Sequence, residues 1–446
     1  MSSFILFVVF IVSSFFPAKT PADLRATLDP VRDKFHAPAI AGAIIRDGRI
    51  VASGVCGVRA LNESQQPATL ADRWPVGSCT KPMTRFMIGR LMERGELSTD
   101  ATLGTLLPAI DMRPEYKAVT LSDVLAHRAG IQPYTQIGPR LTPFIFKLKG
   151  SPIEQRATFA AHVLNEDPAA PPGTEFVYSN AGYCVAAVAA ETRAGKPWNT
   201  LVQDEVLTPL GMTASLATAD ADPDQPRGHI HEGEDYRLQP REMPRLAVME
   251  PAGGVRATAE DFARFAGAYA DIAAGRAVGG ISASTARKIA ESRPGDEGSP
   301  DKPTTFFGGD GAYTAAFAIW PHKRLAVAVT SNAGDSDALC AAAIEAIRAA
   351  QAPDAPPQSS GGPSTPNGPR YGFAMQLDGE SCTVTKVEPG SIADKAGLRE
   401  GDGILSINGK ELKTLPHEEL QSITKPKKLI LVVEREGKEV KIEMAK

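Results

Sequence analysis

A serine and a lysine three positions apart, Ser78 and Lys81, lie where the sequence changes from loop to helix. Residues 72–77 are mostly poor helix formers, whereas the apolar residues between 83 and 92 recur at helical spacing. Ser78 is therefore predicted at a helix N-terminus, with Lys81 one turn later on the same face. A lysine shielded from water can have its pKa lowered enough to be an uncharged amine. Such an amine can take the proton of a serine hydroxyl, which makes the serine a nucleophile. Alternatively, the serine is only an N-cap.

A tyrosine and an asparagine, Tyr178 and Asn180, stand just before a helix predicted over residues 181–193. A tyrosine next to Lys81 could ionise, or share a proton with the lysine, and thereby act as a base. The amide of Asn180 offers both a donor and an acceptor to a substrate amide. The alternative is that Tyr178 only packs and that Asn180 caps the helix.

A glycine-rich segment that precedes a predicted strand is the third candidate, and it consists of Phe307, Gly308, Gly309 and Asp310. Glycines let a substrate lie close to the backbone. The N–H groups of the strand could then complete an oxyanion hole together with those of the helix start at Ser78. An ordinary glycine-rich turn explains the same residues.

Strands are predicted at both ends of the first 350 residues, with mostly helices between them. The predicted strands are residues 40–45, 50–58, 317–320 and 325–330, and the first two are joined by a hairpin turn at Asp47-Gly48. The predicted helices outside the candidate site are residues 22–35, 120–127, 151–164 and 335–350. This order predicts an α/β fold, in which an antiparallel sheet is flanked by helices and a helical subdomain is inserted.

The bulk composition excludes several classes of function. The chain has 446 residues, 43% hydrophobic and 22% charged, which is typical of a globular protein with two or three domains. Its net charge of -4 gives no reason to expect a nucleic-acid partner. The five cysteines are scattered without CxxC spacing, and the pair His229 and His231 lacks a nearby third ligand, so no disulfide framework and no metal site are predicted.

The two ends of the chain differ from its middle. Residues 4–16 are almost wholly apolar, so residues 1–18 are predicted to be a signal peptide for export, with an uncleaved membrane anchor or a buried N-terminal segment as alternatives. Residues 351–369 are rich in Pro, Gly and Ser and are predicted to be a linker. Residues 370–446 form a second unit with hairpin signals at Asn408-Gly409 and Glu436-Gly437.

From about residue 20 to residue 350 the chain resembles the serine beta-lactamase-like family of class C beta-lactamases, DD-peptidases and related esterases. The matching segments are Ser78-Cys79-Thr80-Lys81, Val124-Leu125-Ala126-His127-Arg128-Ala129-Gly130, Pro172-Gly173-Thr174, Tyr178-Ser179-Asn180, Pro209-Leu210-Gly211-Met212 and Ala252-Gly253-Gly254-Val255. The resemblance implies Ser78 as the acylated nucleophile, Lys81 and Tyr178 as proton-transfer groups, and Asn180 as a substrate-positioning residue. It implies neither a metal nor an organic cofactor.

The chain departs from this family at the third motif, which begins with Lys or His, continues with any residue and ends with Gly. The matching triplet is taken as Phe307-Gly308-Gly309, and Phe307 carries no charge and no hydrogen-bond donor. This puts a carboxylate-bearing substrate, and with it beta-lactam hydrolysis, in doubt. The backbone N–H of Asp310 is expected to serve the oxyanion.

The second unit resembles a bacterial PDZ domain over essentially its full length, with the segments Val387-Glu388-Pro389-Gly390-Ser391, Ala396-Gly397-Leu398-Arg399-Glu400-Gly401-Asp402 and Ile407-Asn408-Gly409. Tyr371, Gly372, Phe373 and Ala374 stand where that family has its carboxylate-binding loop. The resemblance implies a small β-sandwich or barrel that binds the C-terminus of a peptide or protein. A structural appendage with an empty groove is the alternative.

Taken together, the sequence predicts an exported serine hydrolase that acts on an ester or amide through an acyl-enzyme. A small ester is favoured over a peptidoglycan-type peptide or a beta-lactam because of Phe307. The expected partners are this substrate and a peptide C-terminus, and an uncleaved N-terminal segment would add membrane association. The alternative function is a catalytically degenerate ligand receptor that uses the same pocket and the PDZ groove.

Overall fold

The structure is a computed structural model, and it describes residues 21–61, 65–135, 142–216, 224–233, 235–239, 247–291, 302–351, 373–378, 381–387, 390–411, 428–435 and 438–445. The apolar residues 4–16, the predicted linker from residue 352 onward and the predicted hairpin turn at 436–437 lie outside the described residues. The chain divides into two compact units, Met1–Ser360 and Gly361–Lys446. Within the described residues, no helix is both long and apolar enough to cross a membrane.

The first half of the larger unit contains four strands and eight helices in its described part. They are β1 (Ala22–Asp23), α1 (Arg25–Lys34), β2 (Ala39–Arg46), β3 (Arg49–Gly57), β4 (Trp74–Pro75), α2 (Thr80–Glu93), α3 (Leu103–Leu106), α4 (Pro114–Lys117), α5 (Leu121–Leu125), α6 (Thr142–Ile145), α7 (Pro152–Val163) and α8 (Asn180–Ala194).

The second half, again as far as it is described, completes the sheet and adds the helices that cover it. Its elements are α9 (Trp198–Val202), β5 (Ser215–Leu216), β6 (His229–Glu232), β7 (Asp235–Leu238), α10 (Glu250–Gly253), β8 (Val255–Ala257), α11 (Ala259–Ala273), α12 (Ala283–Glu291), β9 (Thr304–Gly309), β10 (Thr314–Trp320), β11 (Leu325–Ser331) and α13 (Asp337–Gln351).

The main sheet has the strand order β1-β3-β2-β11-β10-β9 in the part of the chain that the structure describes. Every neighbouring pair is antiparallel except β1 and β3, which are parallel. The predicted hairpin between β2 and β3 is confirmed, and both Asp47 and Gly48 have the positive φ that a type I′ turn requires. Strand β2 from the beginning of the larger unit and strand β11 from its end therefore pair in the middle of one sheet, and β9 lies at the edge of that sheet.

Both faces of this sheet are covered, because its central strands are apolar at successive positions. One face contributes to an inner cluster of buried residues that includes Val76, Cys79, Met83 and Phe317, and the other face to an outer cluster that includes Leu28. Helices α1 and α13 pack on the outer face, whereas α11 packs on the inner face. The predicted α/β fold with a flanked antiparallel sheet and an inserted helical region is confirmed.

The helical region between β3 and β9 is built around α2 and α8, and most residues of both helices are buried. Capping boxes start α5 at Thr120 and α7 at Ser151, the two positions where the predicted helices begin. The helix predicted over 120–127 ends earlier than expected, at Leu125, and His127 follows it with a φ of 58°. His127 is thus outside the helix, in a left-handed conformation that a non-glycine residue seldom adopts.

The smaller unit consists, where described, of β12 (Phe373–Asp378), β13 (Ser381–Val387), α14 (Ile392–Lys395), β14 (Gly403–Ile407), β15 (Lys410–Glu411), β16 (Lys428–Arg435) and β17 (Lys438–Ala445). Its strands follow the order β12-β13-β14-β16-β17, so β12 is an edge strand of the described sheet. Asn408 and Gly409 form the predicted turn, both with positive φ. A small antiparallel domain consistent with the PDZ fold is confirmed.

Candidate active site

Ser78 lies in a tight turn between a short strand and a long helix. A 3-10 turn over Gly77–Cys79 leads directly into α2, and the φ of Gly77 is 49°. The chain before it is pinned by β4, which pairs with β8, and by the bond from the Val76 N–H to the Val255 carbonyl at 3.0 Å. Ser78 therefore stands in a first helical turn, where backbone N–H groups lack partners within the helix.

Lys81 is almost completely buried, at 4% exposure, and its amine contacts the serine. Lys81 Nζ lies 3.0 Å from Ser78 Oγ and donates to the carbonyl of Ala252 at 3.0 Å. Burial lowers the pKa of Lys81 to about 7, although the nearby thiols of Cys184 and Cys79 oppose this shift. Near neutral pH, a large fraction of this side chain is an uncharged amine with a lone pair that can take the proton of Ser78.

The carbonyl that holds Lys81 belongs to a segment tied to the same helix. The Thr80 hydroxyl accepts from the N–H of Val255 at 3.1 Å, and the Thr84 hydroxyl donates to the carbonyl of Pro251 at 2.8 Å. Gly254 must be a glycine here, because an added Cβ would lie 2.7 Å from the Cα of Glu250. The segment Ala252-Gly253-Gly254-Val255, noticed in the sequence only as a resemblance, thus fixes the acceptor for the lysine.

Tyr178 reaches the serine from the other side. Its hydroxyl donates to Ser78 Oγ at 2.7 Å, and Lys81 Nζ lies 4.8 Å from the centre of its ring. Burial raises the pKa of Tyr178 well above its usual value, and the hydrogen bond to Ser78 lowers it by a smaller amount. The residue nevertheless keeps 37% of its surface exposed. Tyr178 is therefore a neutral phenol that donates, and Lys81 is the better base of the two.

His127 holds Tyr178 in place, and the sequence did not single it out as a functional residue. Its ring stacks on that of Tyr178 with centroids 4.6 Å apart. Its carbonyl accepts from the N–H of Val177 at 2.7 Å, and its Nδ1 accepts from the N–H of Ser179 at 3.1 Å. The residue thus contacts the backbone on both sides of Tyr178. The signal that could have found it is its place in the family-like segment Val124-Leu125-Ala126-His127-Arg128-Ala129-Gly130.

Asn180 opens α8 but does not cap it, because the N-cap is Ser179, whose hydroxyl accepts from the N–H of Gly182. Asn180 Nδ2 donates to the carbonyl of Tyr134 at 3.1 Å. Its Oδ1 is buried and has no hydrogen-bond partner within the described residues. This oxygen can accept a hydrogen bond from a bound molecule.

The backbone of β9 lies against the turn that carries Ser78. An added Cβ on Gly308 would lie 2.8 Å from the N of Ser78, and one on Gly77 would lie 2.5 Å from the N of Gly309. Only glycines at 77 and 308 allow the edge strand and the turn to approach so closely. The glycine-rich segment is therefore more than an ordinary turn.

The expectation that the N–H of Asp310 faces the serine has to be corrected. That N–H is directed at the carbonyl of Tyr313 within the β9–β10 hairpin, at 3.4 Å. In an antiparallel pair, hydrogen-bonded and non-hydrogen-bonded positions alternate, so the next pair, Gly309 with Thr314, is non-hydrogen-bonded. The N–H of Gly309 therefore points away from β10, toward the turn of Ser78, and forms the candidate oxyanion hole with the N–H of Ser78.

The position of Phe307 also differs from the expectation. Phe307 packs on the outer cluster, whereas Phe306 packs on the inner cluster with Val76 and Cys79. Because side chains alternate along a strand, Phe306 and Gly308 share the face toward Ser78. The triplet facing the serine is thus Phe306-Phe307-Gly308, shifted by one residue. Its first residue is again a phenylalanine, so the lack of a cation at this position stays the same.

The four predicted peptide-binding residues are only partly described. Tyr371 and Gly372 lie outside the described residues. Phe373 begins β12 and is buried in the core of the smaller unit, and Ala374 follows it in the same strand.

The pH dependence of acylation should follow Lys81. Because the base must be neutral, the second-order rate constant for acylation is expected to rise tenfold per pH unit below about 7 and to level off above it. His127 should add no step near its usual pKa, since burial, followed by the charges of Lys81 and Arg85, lowers its pKa to about 3. Rates of inactivation by a neutral fluorophosphonate between pH 5 and 9 measure this profile. A rate that falls as the pH rises through 7 would contradict a neutral lysine base.

Replacing Gly308 with alanine should damage the oxyanion hole. The new Cβ would lie 2.8 Å from Ser78 N, so the strand and the turn must separate. We expect a loss of about 10²- to 10³-fold in acylation rate, the usual effect of losing one oxyanion donor. Phe307→Ala, one residue away on the opposite face of β9, is the matched control and should change the rate little. Equal losses in the two variants would show that the strand acts only through stability.

The larger unit matches the family model described as beta-lactamase over residues 24–352, and the chain belongs to this family of serine hydrolases. A PDZ domain model matches residues 364–434.

Among curated proteins, Penicillin-binding protein 4 of Amycolatopsis lactamdurans is 27% identical over 264 residues, which are 56% of this chain and 64% of that protein. The D-aminopeptidase of Cereibacter sphaeroides (strain KD131 / KCTC 12085) is 25% identical over 203 residues, 44% of this chain and 36% of that protein. The chain thus spans less than two thirds of the length of these relatives.

Solved structures agree on the fold. The octameric penicillin-binding protein homologue from Pyrococcus abyssi aligns with a TM-score of 0.63 and 20% identity, over 95% of each chain. A class C beta-lactamase aligns with a TM-score of 0.57 and 17% identity, over 73% of this chain and 96% of that one. At these identities the likeness shows the fold alone.

Proposed function

We propose that the larger unit hydrolyses an ester or amide through an acyl-enzyme on Ser78. The observation that carries this proposal is that Ser78 Oγ lies within hydrogen-bond distance of two proton-transfer groups, Lys81 Nζ at 3.0 Å and the Tyr178 hydroxyl at 2.7 Å. A serine as an isolated N-cap would need neither of them. A receptor with a degenerate pocket would not need all three of Ser78, Lys81 and Tyr178, so the presence of all three favours a working hydrolase.

The acylation step follows from these contacts. Neutral Lys81 takes the proton of Ser78 as its Oγ bonds to the substrate carbonyl carbon, and the carbonyl oxygen becomes an oxyanion held by the N–H groups of Ser78 and Gly309. The bond to the leaving group then breaks, and the leaving group takes a proton from the Lys81 ammonium, directly or through Tyr178. Water loses a proton to the same amine as it attacks the ester of Ser78. The bond to Ser78 Oγ then breaks, the acid is released, and the Lys81 ammonium returns the proton to Oγ.

The substrate class follows from the surroundings of the serine. The triplet Phe306-Phe307-Gly308 supplies no cation, and Phe176, at 48% exposure, packs its ring against His127 beside Tyr178. A carboxylate beside such rings would be poorly paired, whereas an apolar group would be well accommodated. We therefore propose a neutral ester or amide with an apolar group as substrate. The missing cation is also the one observation that favours the receptor as the second candidate function.

Covalent labelling tests the enzyme against the receptor. Intact mass spectrometry after treatment with a neutral fluorophosphonate should show one adduct per chain, and peptide mapping should locate it on Ser78. A penicillin, which carries a carboxylate, should label the protein far more slowly. Absence of any fluorophosphonate adduct would favour the receptor, and rapid labelling by penicillin would show that another cation binds the carboxylate.

The smaller unit is proposed to bind the C-terminus of a peptide or protein. In support, β12 begins at Phe373, inside the segment of predicted carboxylate-binding residues 371–374, and it is an edge strand of the described sheet. An extended peptide can add to such an edge, while backbone N–H groups at its start hold the terminal carboxylate.

Amidation of a bound peptide should therefore weaken its affinity for the full-length protein strongly. We expect the affinity to fall at least about tenfold, because a neutral amide cannot accept the charge-assisted hydrogen bonds that the N–H groups donate to a carboxylate. Peptides found by screening a library with free C-termini are measured in free and amidated form by fluorescence anisotropy. Equal affinities would contradict the proposed carboxylate loop.

Export is a further proposal, supported by the apolar residues 4–16 alone. The intact mass of protein recovered from the periplasm or medium of producing cells tests it. Cleavage within about the first 20 residues is expected, whereas an uncleaved protein in the cytoplasmic fraction would contradict it.

A further inference from the structure

A buried arginine stands one turn beyond the catalytic lysine of the proposed mechanism. Arg85 lies on α2 at 3% exposure, four residues after Lys81. Its guanidinium donates to the hydroxyl of Tyr183 at 2.8 Å, to that of Tyr269 at 3.2 Å and to the carbonyl of Leu125 at 2.6 Å. It is held entirely by neutral oxygens in these contacts.

This arrangement is costly. The charge interactions of Arg85 in the described part of the chain are with Tyr183 and Tyr269 and with no carboxylate, and its Nε has no hydrogen-bond partner there. Burying a cation without a countercharge carries a desolvation cost, which only its hydrogen bonds to neutral oxygens offset here. A cation buried in this way beside the proposed site is a candidate for a functional role.

The contacts of Arg85 lead, through His127, to the ring of Tyr178. Leu125, whose carbonyl Arg85 binds, ends α5 two residues before His127. The ring of Tyr183 lies 5.2 Å from the ring of His127, and the ring of His127 stacks on Tyr178 at 4.6 Å. The hydroxyl of Tyr183 also donates to the Leu125 carbonyl, so the guanidinium, this tyrosine and the backbone before His127 form one connected unit.

We propose that Arg85 is a positioning residue of the acylation site, which acts through Tyr183 and the Leu125 carbonyl to hold the His127 ring where it fixes Tyr178 against Ser78. The proposal rests on the proposed function insofar as Ser78 is the nucleophile. The arrangement of the rings itself does not depend on catalysis.

The charge states around His127 agree with this role. The charged and titratable groups that face it are Lys81 and Arg85 on α2, Tyr183 on α8 and Tyr178. Burial, followed by the charges of Lys81 and Arg85, lowers the pKa of His127 to about 3. The ring therefore stays neutral, and its Nδ1 keeps the lone pair that accepts the N–H of Ser179.

Two tyrosines bound to the same guanidinium provide a matched pair of variants. Both Tyr183 and Tyr269 are buried and contact Arg85, but only Tyr183 also contacts the ring of His127. Tyr183→Phe should lower the rate constant of acylation by a fluorophosphonate about tenfold, with little change in its reversible binding constant. Tyr269→Phe should change the rate less than about twofold. Equal effects of the two variants would overturn the proposal.

A second measurement does not depend on activity. The amide hydrogen of Ser179, which is bonded to His127 Nδ1, should exchange at least about tenfold faster in Tyr183→Phe and in Arg85→Met than in wild type and in Tyr269→Phe. If Arg85→Met is too unstable to compare, Arg85→Lys takes its place. Because it keeps the charge, the amide of Ser179 should retain part of its protection in that variant. Unchanged exchange of Ser179 in Tyr183→Phe would overturn the proposal even in a protein that no fluorophosphonate labels. A wild type without labelling contradicts only the proposed function.

Discussion

Replacement of Ser78 with alanine should abolish labelling by a fluorophosphonate and reduce turnover of a neutral ester by about 10⁵-fold or more, as expected when a nucleophile is removed. The reason is that Ser78 Oγ is the atom on which both the amine of Lys81 and the hydroxyl of Tyr178 converge. The oxyanion donors remain in the variant, but they have no nucleophile to assist. Intact mass spectrometry and ester hydrolysis measure the two losses, and the melting temperature shows that the fold survives.

Cys79 is the matched control for this variant, because a thiol beside the serine is the obvious competing nucleophile. Its Sγ is buried and directed at the carbonyl of Phe306 at 3.7 Å, and burial raises the pKa of the thiol well above its usual value. Cys79→Ala should therefore remain labelled at close to the wild-type rate. Labelling that persists in Ser78→Ala and disappears in Cys79→Ala would reverse the assignment.

Replacement of Lys81 with methionine should lower the kcat/KM for a neutral ester by about 10³-fold, within the usual range for loss of a general base. Methionine has nearly the same length and is apolar, so it fits the buried site without leaving a cavity. Its thioether cannot take the proton of Ser78, and the rise of the acylation rate through about pH 7 should disappear with the amine.

The control for this variant is Lys117→Met, which makes the same change at an exposed position on α4. It should leave both the rate and its pH profile unchanged. If Lys81→Met keeps more than a tenth of the wild-type rate, the base has to be sought elsewhere. Tyr178 is then the next candidate, although its raised pKa argues against it.

Several parts of the site and of the fold could be predicted because their causes are local. A serine and a lysine three residues apart share one face of any helix, and poor helix formers before Ser78 determine where that helix begins. The capping boxes at Thr120 and Ser151 and the turns at Asp47-Gly48 and Asn408-Gly409 follow from side-chain to backbone bonds and from positive φ within a few residues.

Other parts could not be predicted because they depend on register and neighbours. Whether Phe306 or Phe307 faces the serine is decided by the pairing of β9 with β10, and a slip of one residue exchanges the two faces. The same pairing directs the N–H of Asp310 into the hairpin and leaves that of Gly309 for the serine. The sequence contains both phenylalanines and both glycines, but it does not show in which register β9 pairs with β10.

The sequence by itself determined the candidate pair, Ser78 and Lys81, and the presence of two differently built units, because helical spacing and composition act over short stretches of chain. Only the tertiary structure decided the environment of that pair. Burial of Lys81 beneath the Ala252 carbonyl lowers its pKa, and the rings of Tyr178, His127 and Tyr183 come to it from separate segments. Desolvation and ring stacking depend on what surrounds a group in space, and these neighbours are up to about 170 residues away along the chain.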